Sequence, residues 1–349
     1  MNSNSVRKNS KPTYLLVLDL PEMMEAYERV GDDKGNGLKI PDAAFFKERQ
    51  QRLATKLQET VPECYVETIE ANKLTNQIVA SLHKLLAATP EAVVISTVPS
   101  VAWKTSGICA RINRLVDPKG NSFGVGPRPG NPSIHSQFLE IKELSSRRPV
   151  ILVEDGSFTG GTMIKMIEIC NELHIEIKCL VIGFLFASAK EAILKVFHRE
   201  EDIHYWREGN FFDWMPDHDF YPFVPNAGKV IGFSYNANQI VRHMPVRLHN
   251  GLSLCKPYIL PYGNPVEWAS IPQDQAKKFS TFCIHEARDI FWEMFRLNGR
   301  HITLEDIVST NPCVGLPVPA NDMREFPHIK AEVRQILLDH EHAVEFLHP

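Results

Sequence analysis

Apolar residues run without interruption from Val150 to Val153, two acids follow, and a helical pattern then extends from Met163 to Leu173. Four consecutive apolar residues suit a strand covered on both faces, and therefore a parallel sheet flanked by helices. The same reading gives a strand from Val93 to Thr97, a helix from about Ala102 to Val116, a strand from Ile177 to Phe186 and a helix from Ala187 to Phe197. This βαβαβ order predicts an α/β fold with a doubly wound, mostly parallel sheet. Upstream, strands at Tyr14 to Leu18 and Cys64 to Ile69 alternate with helices at Phe45 to Leu57 and Asn76 to Ala87, and are expected to extend that sheet. From Pro257 the character changes. Ser270 and Pro272 mark a helix start, and Phe279, Cys283, Ala287, Ile290, Met294 and Leu297 form one stripe ending at Asn298-Gly299. Thr303 with Asp306 resembles a capping box, and the segment from Ile329 to Phe346 has helical periodicity. The expected organisation is a disordered start (1–12), an α/β domain (13–255) and a helical extension (256–349).

Composition narrows the class. A net charge of -4 with 44% hydrophobic residues argues against a generic nucleic-acid coat. The seven cysteines are scattered without a Cys-x-x-Cys pair, no charged-then-apolar leader opens the chain, and no apolar run approaches membrane-spanning length. These features predict a cytoplasmic protein with reduced thiols and no membrane partner.

The chemistry concentrates after the central strand. Glu154 and Asp155 stand where that strand ends, the place where open α/β sheets bind ligands. Gly156, Ser157 and Phe158 lead into Thr159-Gly160-Gly161-Thr162. The glycines permit close backbone approach, while the two threonines add hydroxyls beside the free amides of a helix start. Such a cup suits a phosphate, and acids ahead of it suit vicinal hydroxyls, so a ribose 5-phosphate has the matching shape. No Gly-Lys-Ser/Thr follows, which disfavours a P-loop, and the absence of Gly-x-Gly-x-x-Gly disfavours a dinucleotide fold.

This acid-acid-x-x-x-Thr-Gly-Gly-Thr element resembles the phosphoribosyl pyrophosphate (PRPP) site of type I phosphoribosyltransferases, its Glu-Asp pair being similar to the hypoxanthine-guanine branch. The resemblance implies a fold of phosphoribosyltransferase type, with Glu154 and Asp155 on the ribose hydroxyls and Phe158 to Thr162 around the 5-phosphate. It implies Mg2+, held largely through substrate, and transfer of the phosphoribosyl group to a nitrogenous acceptor with release of pyrophosphate. The pyrophosphate loop falls at Thr97, Ser100 and Lys104, without the family's glycine-rich pattern. A mobile catalytic loop falls on the segment Asp117 to Ser133, which holds four glycines and four prolines. Lys119, Arg128 and His135 are its candidate cations. Lys229 to Phe233 is similar to the late base-binding strand, which suggests an acceptor pocket near Phe158, Tyr221, Phe223, Lys229 and Phe233. Phe158 stands where hypoxanthine-type enzymes carry an acid, so the expected alternatives are transfer to an unusual acceptor and a PRPP- or nucleotide-sensing protein. The C-terminal helices are candidate surfaces for a homo-oligomer or a partner.

Other polar clusters read as structural. Gly31 to Gly37 lacks the ligand alternation of a calcium loop. Asp213 to Asp219 lacks a second histidine at ligand spacing, His285-Glu286 lacks the second histidine of a zinc-protease helix, and His340 and His342 do not share a helical face.

Overall fold

The computed structural model describes residues 11–28, 37–146, 148–237, 240–248, 251–310, 313–317 and 328–347. Most of the expected disordered start, and most of the glycine-rich segment from Gly31, lie outside these residues.

In chain order the first half carries β1 (Thr13–Leu18), α1 (Leu20–Met24), α2 (Ala43–Thr60), β2 (Tyr65–Glu70), α3 (Ala71–Ala88), β3 (Val93–Ser96), α4 (Pro99–Lys104), β4 (Ile108–Cys109), β5 (Ile112–Val116), β6 (Ser122–Pro127), α5 (Ile134–Ser145) and β7 (Val150–Ser157). There follow α6 (Gly161–Glu172), β8 (Ile177–Phe186), α7 (Ala187–Phe197), β9 (Ile203–Gly209), β10 (Asp213–Pro216), β11 (Lys229–Ala237), β12 (Ile240–Pro245) and β13 (Ser253–Lys256). The chain closes with α8 (Pro265–Trp268), α9 (Ala276–Asn298), α10 (Leu304–Thr310), β14 (Cys313–Gly315) and α11 (Val333–Phe346).

The central sheet has the order β4-β3-β7-β8-β9 with every pairing parallel. Its second strand in sequence lies on one side of the first and all later strands on the other, so the order reverses between β3 and β7. In open α/β sheets that switch point is where ligands bind. Alternate residues of β7 serve two cores. Val150 and Leu152 pack with α5, α6 and α7, while Ile151 and Val153 pack with α3 and with Leu15 and Val17 of β1. The apolar tetrad is therefore covered on both sides, as its composition requires.

β1 and β2 do not extend this sheet. With β10 they form a separate parallel sheet of order β10-β1-β2, in which the partner beyond β1 comes from nearly two hundred residues later. Strand composition alone carries no signal for so distant a pairing.

The expected helix from Ala102 to Val116 stops at Lys104. Ser106 takes φ 51, and Gly107 lies so close to β3 that a Cβ there would meet the Val94 carbonyl at 2.7 Å. The chain then runs as two short strands. The segment from Asp117 is correspondingly ordered: β6 returns antiparallel to β5, and this hairpin belongs to a third sheet of order β14-β13-β11-β5-β6, with β12 also paired to β11.

The helical extension shares the largest core. The α9 stripe of Phe279, Cys283, Ala287, Ile290 and Met294 packs in one cluster with Tyr14 and Leu16 of β1 and with Phe46, Leu53 and Leu57 of α2. The Tyr14 hydroxyl donates to the Ala269 carbonyl at 2.9 Å, a further tie across the expected boundary. No break in the core falls at residue 256. Among the described residues no helix is long and apolar enough to cross a membrane.

Candidate functional site

The site is built at the carboxyl end of β7. Gly160 caps α6 with φ 81, where a Cβ would lie 3.3 Å from the Ala189 carbonyl and from Ile164 and Ile193 side chains. Left-handed backbone and close packing both demand glycine there. Ile164 is the first helical amide to bond back, to the Gly160 carbonyl at 2.8 Å. The amides of Gly161, Thr162 and Met163 therefore have no intrahelical acceptor, the ordinary condition of a helix start. The outer side of the turn is open: only Thr159 Oγ1, at 3.6 Å, comes near the position of a Gly161 Cβ.

Glu154 and Asp155 follow the alternation of the strand. Glu154 belongs to the row of Val150 and Leu152, on the α6 side, and is 7% exposed. Its Oε2 is buried without a close hydrogen-bond partner, while the Ser157 and Thr162 hydroxyls lie near enough to favour the charged form of the carboxyl. Burial first, and the adjacent Asp155 charge second, push the Glu154 carboxyl up to about 8. Asp155 belongs to the other row, and its Oδ1 accepts the Gly156 amide at 3.0 Å. Burial also raises Asp155, with Asp19 adding to the shift and Arg114 opposing it. Leaving a buried carboxyl oxygen unsatisfied costs about 1–3 kcal/mol, which the Ser157 and Thr162 hydroxyls beside the Glu154 carboxyl offset in part.

Around this tip the expected residues divide. Thr97 ends β3 beside β7, its amide bonded to the Val153 carbonyl at 3.1 Å. Ser100 hydrogen-bonds Thr75 at 3.2 Å, and Lys104 turns outward to donate to Asn76 Oδ1 at 2.9 Å, so the lysine faces solvent and α3. Arg128 extends the ladder from β6, its amide donating to the Arg111 carbonyl and its Nε to the Ile112 carbonyl at 3.3 Å. It makes no ion pair among the described residues. Burial weakens its charge, and Asp155 is among the groups that sustain it. Lys119 is exposed at the hairpin tip, where a Cβ on neighbouring Gly120 would lie 3.3 Å from the Trp268 ring.

His135 lies away from the site. It pairs with Glu172 at 3.2 Å, at the far end of α6, about 15 Å along the helix axis from Thr162.

The expected acceptor pocket does not assemble as a unit. Tyr221 and Phe223 are 0% and 2% exposed and belong to the large core, where aromatic side chains bury the most apolar area. Phe233 is exposed on β11 beside Tyr235. Phe158 is 45% exposed at the turn, its ring against Phe186. Lys229 lies over aromatic rings instead: Nζ stands 4.3 Å over the Trp268 ring and donates to Ser122 Oγ at 3.1 Å. Burial and the nearby Arg114 lower it to about 8.

Charged groups outside the expected set complete the rim. Arg114 of β5 bonds Asp219 at 3.3 Å and covers the Tyr258 ring. Asp219 Oδ1 accepts the Gly228 amide at 2.6 Å. Asp19, just past β1, holds His218 Nδ1 at 2.7 and 2.8 Å. Burial opposes the His218 charge, but Asp19 and Asp219 outweigh it and raise the imidazole to about 9. Asp19 stands just past β1, whereas β7 runs on through Glu154 and Asp155 to Ser157, so these two acids lie within the strand that the sequence ended at Val153. Compared with known proteins, the chain matches no family model and no curated protein.

Proposed function

We propose that the chain binds PRPP with Mg2+ and transfers the phosphoribosyl group to a nitrogenous acceptor, releasing pyrophosphate. The observation that carries this reading is the strand tip at the switch point. There a buried Glu154 carboxyl, one oxygen of which has no partner while the Ser157 and Thr162 hydroxyls attend the group, adjoins Asp155 and an open glycine turn whose helix amides lack intrahelical acceptors. Ribose hydroxyls donate to the two acids, and the 5-phosphate takes the amides and hydroxyls of Thr159 to Thr162. Arg128, which has no ion pair among the described residues, faces the leaving pyrophosphate, with Lys119 at the outer end of the same hairpin.

Among the described residues no three His, Cys, Asp or Glu gather as a metal cage. Two neighbouring carboxylates fit instead a divalent ion that brings phosphate oxygens with it. Glu154 and Asp155 would hold that ion, largely through substrate, and it would supply charge neutralisation to the leaving group. The protein's own part is positioning and electrostatic stabilisation.

A PRPP- or nucleotide-sensing role is the second reading, favoured by Lys104 turning to Asn76 and leaving the β3 loop without a cation. The two separate in one experiment. Calorimetric titration with PRPP and Mg2+ is expected to show saturable binding that Asp155→Asn weakens at least about tenfold. Pyrophosphate release on adding nitrogenous bases identifies the enzyme, and binding without release identifies the sensor. Absence of PRPP binding by the unaltered chain overturns both.

A further inference from the structure

We propose that Arg111 and Arg128, opposed at the open end of the β5–β6 ladder, form a fixed clamp for the two-phosphate end of the ligand, with Arg111 the residue that selects a diphosphate over a simple sugar phosphate. The inference rests on the phosphoribosyl-transfer reading above for the identity of that ligand.

A ribose seated at the tip of β7 can carry its pyrophosphate across the switch point toward β3, yet the turn after β3 has few free side chains to receive it. Ser96 Oγ is engaged with the amide and the carbonyl of Val98 at 3.0 and 3.1 Å. Thr97 Oγ1 donates to the Val153 carbonyl at 3.4 Å, Ser100 bonds Thr75, and Lys104 donates to Asn76. All four side chains are turned to the protein itself.

The next strand along supplies the charge. β4 runs parallel to β3 with Ser96 opposite Cys109, and the Ala110 amide donates to the Ser96 carbonyl at 2.9 Å. Arg111 therefore emerges just past the carboxyl end of the central sheet, beside the turn that follows β3. Two strand spacings, about 10 Å, separate β4 from β7, a gap that a ribose and its pyrophosphate span. Ile112 pairs with Pro127 and the Arg128 amide donates to the Arg111 carbonyl at 2.9 Å, so the two arginines stand opposite one another. Gln137 of α5, 9% exposed, holds the backbone there: its Oε1 accepts the Arg111 amide at 2.8 Å, and its Nε2 donates to the Arg111 and Pro132 carbonyls at 3.2 and 2.9 Å.

Like charges set opposite each other across a ladder destabilise it, and nothing nearby relieves this pair. Among the described residues neither guanidinium makes an ion pair. That of Arg111 is exposed and makes no hydrogen bond, while that of Arg128 donates from Nε to the Ile112 carbonyl at 3.3 Å, which leaves its outer N–H groups free. Arg114 also acts on Arg128 but is bonded to Asp219, and Asp155 acts from the tip of β7. Two planar forks with free N–H groups match the bidentate geometry of phosphate oxygens, and a diphosphate offers one phosphate to each. A sugar phosphate without the second group gains nothing from Arg111.

The test uses the full chain with Mg2+ present and three probes, PRPP, ribose 5-phosphate and inorganic pyrophosphate, each titrated by calorimetry. Arg111→Gln, a change on an exposed side chain, is expected to weaken PRPP and pyrophosphate about tenfold or more while leaving ribose 5-phosphate unchanged. Arg111→Lys keeps the charge without the fork and is expected to recover only part of that loss. A merely structural role moves all three probes together, so an equal loss of ribose 5-phosphate overturns the inference, as does unchanged affinity for PRPP and pyrophosphate. PRPP binding by the unaltered chain leaves the underlying reading standing in either case. Where ribose 5-phosphate binds too weakly to read, thermal unfolding of Arg111→Gln is the control, and a lowered midpoint counts against the clamp. If the unaltered chain binds pyrophosphate but not PRPP, and Arg111→Gln loses it, the clamp stands and the phosphoribosyl reading falls. Binding of neither compound overturns both.

Discussion

Glu154 shows how a single side chain carries information that its position alone does not. Its carboxyl is pushed up to about 8 by burial and by Asp155, so the free protein holds a proton there at neutral pH. Ribose hydroxyls and a divalent ion both favour the ionised form, so PRPP binding between pH 6 and 7 is expected to release up to one proton. Titration calorimetry in buffers of different ionisation enthalpy reads that number, and zero release speaks against Glu154 as a ligand. Gly160 is as exacting sterically. Gly160→Ala places a Cβ on a left-handed residue against the Ala189 carbonyl, which is expected to cost about 1–2 kcal/mol of stability in chemical denaturation. Both residues were legible in the sequence, because an acid past an apolar run and a glycine pair before a helix are local signals. Asp19 and His218 follow the same local rule, but their meeting depends on β1 pairing with β10, which nothing near either residue records.

Elements were legible where one periodicity governs a long stretch. The α9 stripe from Phe279 to Met294 and its Asn298-Gly299 end stand as the spacing predicts, with Gly299 at φ 64 as the C-cap, while Leu297 is exposed at the last turn. The hairpin of β5 and β6 was not legible, because glycines and prolines that look like loop punctuation also serve close packing. A Cβ on Gly126 would meet Leu115 Cδ1 at 2.4 Å and the His243 carbonyl at 3.0 Å. The glycine lets β6 lie flat on its neighbours, so the hairpin is a layer of a sheet. Amides of β5 facing β6 are therefore expected to resist hydrogen exchange far longer than a lid would. Gly126→Val is expected to cost about 1–3 kcal/mol, measured by thermal or chemical unfolding. Arg128 is thus delivered by a sheet edge, and closure of a loop is not required to bring its charge near Asp155.

At the scale of the whole molecule, three sheets share cores drawn from distant parts of the chain. A chain ending at Lys256 loses the α9 side chains that cover Tyr14, Leu16 and Phe46. It is expected to show no cooperative thermal transition by circular dichroism, where a separable extension would leave a folded remainder. Protonation acts on the same assembly. His218 is raised from 6.5 to about 9 and Glu154 from 4.5 to about 8, so the folded state holds protons that the unfolded chain releases. Their stabilising contributions are full below the unfolded values and are lost as pH rises through the folded ones. Asp19 is lowered, so its contribution is lost only as pH falls through the acid range. Chemical denaturation is therefore expected to show stability declining from about pH 4.5 to 9, with a shallower decline above about pH 6.5 in His218→Gln. The parallel α/β class was legible because helices and strands alternate. The division into three sheets was not, because it is decided by partners that lie far along the chain.

The mutual dependence of β1 and α9 also sets a timetable for synthesis. The first strand leaves the ribosome with its hydrophobic face unfilled, and the helix that covers it is complete only at Asn298. At about 5–20 residues per second, that interval lasts roughly 15–55 seconds. During it, Tyr14 and Leu16 lack their final neighbours, which makes the nascent chain a natural client for chaperones that bind exposed apolar strands.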